Sequence, residues 1–335
     1  RRAHWYVPRR PYGCAKSGCA GSQGDSHFVA PNPDFGATFT YYLPKTIQSM
    51  KDQRREEEKE REKANQNVTF PSWERLLSEE LADNPAIVFT VSDSAGDVVR
   101  YLEGPVDAGF HRISWDLRYP ILDPWEAKDE SDEEAASIGV LVAPGTYSVA
   151  MAVRENGVST DFSQTQSFEV VSIREPTLPG SSQSQRIAYS MQVDDLQRAV
   201  DGTINSIDEI NGQLGAIKDV LKNSRASLLL YEQAHILQTR IIQQRNRLEK
   251  NQTLSAFGVN GTMAVSDRLW HARFNPSTSA YGPTETQRQS FNIARDTYVD
   301  IATQLTELVD GEYAALQDAL DSADVPWTPG RGILQ

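Results

Sequence analysis

The chain has 335 residues, about twice the usual size of a single domain, so we expect two folded cores. Its 33 basic and 46 acidic residues leave a formal charge of −13, which argues against nucleic-acid binding because phosphates would be repelled. The sequence contains no run of about 18 apolar residues, so we expect no membrane span.

The first 36 residues are rich in Arg, Gly, Pro and Ser and follow neither a helical nor a strand period. This composition predicts an extended arm. The chain starts at an Arg without an apolar leader, so we expect a mature form or a piece of a longer polypeptide. Trp5 and Tyr6 are candidate contacts to a neighbouring domain, because aromatic rings in an arm need a surface to pack against. Cys14 and Cys19 either form a small local disulfide or stay free.

Residues 37–172 contain short β-branched and aromatic segments separated by turns, which predicts an antiparallel β-sandwich. The predicted strands are 37–43, 86–91, 98–102, 109–117, 146–153 and 166–171. The segment 93–97 between two of them predicts a hairpin turn, with Gly96 at the position that favours a positive φ.

The predicted sandwich is interrupted by a helical insertion at 45–84. Its first part, KDQRREEEKEREK at 51–63, has six basic and six acidic residues, which predicts a solvated helix with Glu57 and Arg61 paired at i,i+4. A second short helix is predicted to begin at residues 71–73 (PSW). Its apolar residues share one face, namely Trp73, Leu76, Leu77 and Leu81.

The last part of the chain changes to a helical period. Pro, Gly and Ser at 173–185 predict a linker, and apolar residues spaced by three and four from Arg186 predict an antiparallel three-helix bundle over 186–322. Residues 323–335 are expected to form a tail. The long loop at 251–284 is expected to pack back on the fold. The narrow apolar stripes either satisfy one another or form a partner surface.

The sequence offers no clear catalytic constellation. Its five histidines are scattered without a metal-ligand spacing, and no acidic pair stands out among 46 acids, so we expect no catalytic residue, metal or cofactor. Asp116, between Trp115 and Arg118, suggests either a sugar contact or a core tryptophan beside a strand-end ion pair, and we favour the second. Trp73, Trp115 and Trp125 are the candidate stacking platforms for carbohydrate.

Several segments together resemble the C-terminal region of bacterial secreted sortilin-like proteins, also called BNR-repeat glycosyl hydrolases, whose main domain is a β-propeller. The segments are 30–37 (APNPDFGA), 41–43 (YYL), 96–100 (GDVVR), 109–119 (GFHRISWDLRY), 143–147 (APGTY), 281–284 (YGPT) and 326–331 (PWTPGR). The resemblance implies an α+β multidomain chain, in which an immunoglobulin-like sandwich and a helical tail follow a propeller that is absent from these residues.

The resemblance also implies a function and a location. We expect a non-catalytic accessory region, extracellular or in the cell envelope, that braces the propeller in cis or as a separate chain, or binds a protein partner. The alternative is a carbohydrate-binding or glycoside-hydrolase-associated module whose active site lies in the propeller. The propeller's own Asp-box pattern is not matched, because Ser94 stands where Asp belongs, so residues 92–96 are better explained as a turn.

Overall fold

The structure is a computed structural model that describes residues 2–4, 35–120, 124, 139–162, 164–172, 180–251, 256–258, 261–273 and 281–332. The chain divides into two compact units, one built from residues 1–120 and 141–177 and the other from 121–140 and 178–335. The fold mixes α and β elements. Strands dominate the first unit, and the described elements of the second are helices. The predictions for Trp5, Tyr6, Cys14, Cys19 and Trp125 lie outside the described residues.

The first unit contains two β-sheets. Its strands are β1 (Arg2–His4), β2 (Ala37–Leu43), β3 (Ala86–Ser92), β4 (Val98–Gly104), β5 (Gly109–Trp115), β6 (Gly145–Glu155), β7 (Val158–Asp161) and β8 (Gln166–Val171). The larger sheet has the order β1-β8-β6-β3-β4 with β7 beside β6, and the smaller one pairs β2 with β5. All pairs are antiparallel except β1 with β8. Each strand predicted from the sequence is confirmed, whereas β1 and β7 were not predicted.

The core of this unit lies between the two sheets. Alternate residues of β3, beginning with Ile87 and Phe89, are buried, as expected for a strand that turns one face to a core. Phe39 of β2 stacks on Phe89, with ring centroids 6.1 Å apart, and Trp115 of β5 meets Phe168 of β8 edge-on at 6.1 Å. The sheets are therefore joined face to face by aromatic side chains.

The predicted helical insertion is present between β2 and β3. Helix α1 (Met50–Lys63) begins after Ser49, and helix α2 (Trp73–Leu81) begins after Ser72. Both serines accept a hydrogen bond from a first-turn amide, which is the usual role of an N-cap residue. Neither helix buries a single residue. Packing against a core therefore contributes little to the stability of this insertion.

The described elements of the second unit are helices, three of them with more than 20 residues. They are α3 (Gln183–Lys222), α4 (Leu228–Leu248), α5 (Val265–Ala272), α6 (Glu285–Glu307), a π-helical segment (Leu308–Tyr313) and α7 (Ala314–Ser322), the last three being continuous. Helix α3 starts three residues before the predicted start at Arg186, because Ser182 and Gln185 form a capping box. The end of the predicted linker at 173–185 is thus helical. None of the described helices is both long and apolar enough to cross a membrane.

The apolar stripes of these helices pack against one another. The predicted stripe residues of all three long helical runs belong to one core, in which Leu214, Ile241 and Ile301 are fully buried. The predicted loop 251–284 adds α5, whose Val265 and Leu269 enter the same core, so part of that loop is helical. The stripes therefore satisfy one another within the chain instead of forming a partner surface.

Candidate interaction surface

The segment around Trp115 forms a structural corner at the end of β5. The Trp115 indole is fully buried, and its Nε1 donates to the carbonyl of Arg118 at 3.0 Å. The Asp116 carboxylate accepts from the Arg118 backbone amide at 3.2 Å, and buried Leu117 adopts a positive φ of 58°. Strand β5 therefore ends two residues earlier than predicted. The Asp116 carboxylate thus contacts the Arg118 backbone, and its charge also acts on the Arg118 guanidinium.

The surroundings of Trp115 are closed to a ligand. Tyr147 meets the indole edge-on at 5.5 Å and donates its hydroxyl to the Ala143 carbonyl at 2.7 Å. Burial, reinforced by the charges of Tyr119 and Asp93, raises the pKa of Tyr147 to about 12. Trp115 is consequently a core tryptophan, and it provides no stacking platform for a sugar.

Trp73, in contrast to the buried Trp115, is exposed on the outer face of α2. Phe70, just before the helix, meets the Trp73 ring edge-on at 5.8 Å. Leu77 and Leu81 follow at intervals of four residues, so their side chains continue the same line along the helix. The four side chains, which we call the α2 stripe, are between 56% and 79% exposed. Of the predicted site residues that the structure describes, Trp73 is the one with an exposed ring.

Ion pairs hold α2 against α1. Arg54 of α1 directs its Nε to both carboxylate oxygens of Glu79, at 2.8 and 3.0 Å, and its Nη1 to Glu58 at 2.7 Å. Arg75 of α2 donates to Glu57 of α1 at 3.0 Å. The predicted pairing of Glu57 with Arg61 is thus replaced by a contact between the helices, which residue spacing within one helix does not reveal.

The central pair of this contact is well shielded. The side chains of Arg54 and Glu79 are 15% and 5% exposed. The hydrogen bond from Arg54 lowers the pKa of Glu79, and hydrogen bonds to Glu79 and Glu58 raise the pKa of Arg54. Both groups are therefore charged at neutral pH, and the apolar residues of α2 are left on the side away from α1.

Carboxylates border the α2 stripe on both sides. At 100° per residue, Glu74 and Glu80 project about 60° to either side of the line through Trp73, Leu77 and Leu81. Both residues are exposed, and among the described residues neither carboxylate has an ion-pair partner. Asp83, just beyond the helix, is exposed as well. The surface is an apolar line with acidic borders.

A second exposed aromatic pair lies on the small sheet. Tyr42 of β2 and Phe110 of β5 are cross-strand neighbours whose ring centroids lie 4.8 Å apart and whose planes are tilted by 44°. Both rings are more than half exposed. The alternation in each strand places these residues on the outer face, but their pairing follows from strand register, which the sequence alone did not reveal.

The described residues contain no group of three or more His, Cys, Asp or Glu side chains arranged to hold a metal ion. Their exposed surface includes the apolar α2 stripe and the aromatic pair of Tyr42 and Phe110. Phe70 was missed from the sequence because it precedes the helix, and its contact with Trp73 is visible only in the structure. No protein-family model matches the chain, and no curated protein matches it.

Proposed function

We propose that the chain is a non-catalytic accessory region of a secreted, sortilin-like β-propeller protein, which braces the propeller or binds a protein partner. In this proposal the first unit is an immunoglobulin-like sandwich and the second an antiparallel three-helix bundle. The chain would work outside the cell or in the cell envelope. The resemblance of the seven short segments supports the family, and the exposed α2 stripe supports the binding role.

The α2 stripe is the observation that carries the binding role. Four large apolar side chains lie next to one another in solvent, with an exposed area on the order of a few hundred Å². Contiguous apolar patches of that size on a soluble protein commonly mark an interaction site. The helix that bears them is fixed by ion pairs on its other side, so the stripe is presented as a ready-formed surface.

The accessory role is tested on the natural polypeptide. Antibodies against the purified chain would isolate that polypeptide and anything bound to it, and mass spectrometry would identify the peptides. We expect peptides from four-stranded propeller blades, either in the same polypeptide or in a bound one. A natural polypeptide without blades, free of any blade-containing partner, would contradict the proposal. So would glycosidase turnover by the chain alone that is abolished by substituting one carboxylate.

The alternative function is carbohydrate binding, and the exposed pair of Tyr42 and Phe110 favours it, because aromatic rings stack on sugars. The buried Trp115 counts against the tryptophan platform that the sequence suggested. A glycan-array measurement with the chain and the double variant Tyr42→Ala/Phe110→Ala tests it. Glycan binding that disappears in the variant would support this function, and no binding by either protein would reject it.

A further inference from the structure

We propose that the α2 stripe binds an amphipathic helix of a partner protein, with apolar residues along one side and Lys or Arg residues at the borders of that side. This inference rests on the proposed function, since it names the class of partner that the interaction surface accepts. It also goes further, because it predicts the charge and the shape of the partner segment.

The shape of the stripe favours a helix as its occupant. Trp73, Leu77 and Leu81 recur at i, i+4 and i+8, which gives a straight ridge about 12 Å long on the surface of α2. Such i±4 ridges fit the grooves between the side chains of another helix, which is how helices pack in proteins. Phe70 lies before the N-terminal end of α2 and contacts the Trp73 ring edge-on. A partner helix would therefore contact both aromatic rings and both leucines.

The charges at the borders select a basic partner. Glu74 and Glu80 lie on opposite sides of the ridge, and Asp83 follows the helix. The one basic residue of α2, Arg75, is turned towards α1, where it donates to Glu57. Glu80 lies in the last turn of α2, where a negative charge opposes the helix dipole, so its position is unfavourable for the helix itself. Pairing with a cation on a bound helix would offset that cost.

Two other occupants fit the stripe less well. A second copy of the chain would bring the same carboxylates towards each other. The stripe's few hundred Å² are also below the roughly 800 Å² per partner of a stable dimer. A lipid bilayer accepts Trp, Phe and Leu, but interfacial helices carry Lys and Arg beside their apolar face, whereas this one carries Glu. A basic helix satisfies both the apolar ridge and its acidic borders.

Helix α2 is already positioned before a partner arrives. Arg54 of α1 contacts Glu79 of α2, and Arg75 of α2 contacts Glu57 of α1, so two residues on the inner side of α2 are paired with α1. A surface that is ordered before binding loses less conformational entropy when the partner arrives.

The test uses the full chain and a fluorescein-labelled amphipathic peptide of about 18 residues, long enough to form a helix on binding. The peptide has Leu along one side and Lys at the borders of that side, and a matched peptide has Glu in place of Lys. Fluorescence anisotropy at low salt should show binding of the Lys peptide, at least about tenfold tighter than of the Glu peptide. This preference should shrink as salt is added.

Two variants and one control locate the binding. Trp73→Ala/Leu77→Ala should abolish binding of the Lys peptide. Glu74→Lys/Glu80→Lys keeps the ridge and should reverse the preference towards the Glu peptide. The control Glu60→Lys/Glu62→Lys makes the same change of charge on α1, where both residues are exposed, and should keep the preference for the Lys peptide. Circular dichroism checks that every variant is folded.

Several outcomes would overturn the inference. One is equal affinity for the two peptides, and another is no binding of either peptide. Binding that survives Trp73→Ala/Leu77→Ala would place the site elsewhere. Binding of the chain to phosphatidylcholine vesicles, or dimerisation in sedimentation, would overturn it if Trp73→Ala/Leu77→Ala abolishes that association. None of these measurements depends on the propeller. A failure of this inference can therefore be distinguished from a failure of the proposed function. The proposed function is tested separately, by mass spectrometry of the natural polypeptide.

Discussion

Arg54 and Glu79 join the two helices of the insertion through a single guanidinium nitrogen that lies 2.8 and 3.0 Å from the two carboxylate oxygens. Neither helix buries a residue, and α1 and α2 are connected by ion pairs, of which Arg54 with Glu79 is less exposed than Arg75 with Glu57. A charged connection leaves the apolar side chains of α2 available for another molecule. It also makes the insertion sensitive to pH.

Acid should loosen the insertion before it unfolds the two cores. The pKa of Glu79 in the folded chain is lowered from an ordinary value of 4.5, so its pairing stabilises the insertion fully above that value. That stability is lost as the pH falls from about 4.5 through the lowered pKa. Hydrogen exchange measured by mass spectrometry between pH 6 and pH 3, corrected for the intrinsic exchange rates, should show α2 losing protection first.

The variant Glu79→Gln separates this pair from the other carboxylates of the insertion. It cannot ionise, so α2 should already exchange faster at pH 6 and should show a weaker dependence on pH. The matched control is Glu60→Gln, which changes an exposed carboxylate on α1 that has no ion-pair partner among the described residues. If Glu60→Gln weakened α2 as much as Glu79→Gln does, the specific role of Glu79 would be refuted.

Gly36 should not tolerate a side chain. Its φ is +119°, and a β-carbon there would collide with the carbonyl oxygen of Trp115. Gly36→Ala should therefore lower the free energy of unfolding by on the order of 3 kcal/mol, through backbone strain and displacement of β5. Urea denaturation followed by intrinsic fluorescence measures it.

Gly96 provides the matched control for Gly36. It has a φ of +91° in the β3–β4 turn, and a β-carbon there would meet no atom within 4 Å. Gly96→Ala should lower the free energy of unfolding only through conformational strain, by about 1 kcal/mol. Equal losses in the two variants would show that the collision with Trp115 is unimportant.

Arg331 fastens the end of the chain onto the helical unit. Its side chain is 3% exposed, and it donates to Asp321 and to the carbonyls of Val325 and Pro326 at 3.0 and 2.9 Å. Arg331→Ala should lower the free energy of unfolding of this unit by about 1–3 kcal/mol, because the carbonyls of Val325 and Pro326 lose their donor. Hydrogen exchange should increase at residues 323–332 and stay unchanged in α4. Protection of 323–332 at the level of the unsubstituted chain would argue against this role.

Truncating a side chain at the centre of the shared helical core should destabilise the second unit. Leu214 of α3 is fully buried, so Leu214→Ala should lower the free energy of unfolding of the second unit by about 2–5 kcal/mol. Leu229, at the start of α4, is largely exposed, and Leu229→Ala should change it by no more than about 0.5 kcal/mol. Thermal unfolding followed by circular dichroism compares the two. Similar losses would mean that the stripes do not form the core.

The sequence was informative wherever one local pattern decides the structure. The alternation in 37–43 and 86–91, the charged run at 51–63 and the three- and four-residue spacing after Arg186 each predicted an element that is present. Local signals were also missed. The serine cap before α3 moved its start by three residues, and α5 was read as part of a loop because its helical period lasts for only eight residues.

The exposure of the α2 stripe could not be predicted from the sequence alone. Periodicity placed Trp73, Leu76, Leu77 and Leu81 on one face of a helix, of which Leu76 is partly buried, and composition showed that the neighbouring helix is almost entirely charged. The amino-acid sequence by itself therefore determined the elements and their amphipathic faces, because these depend on residues a few positions apart. Whether a face is covered depends on contacts between distant residues. Only the tertiary structure decided that Trp115 is enclosed by Tyr147 and Phe168, and that the pairing of Arg54 with Glu79 leaves Trp73 in solvent.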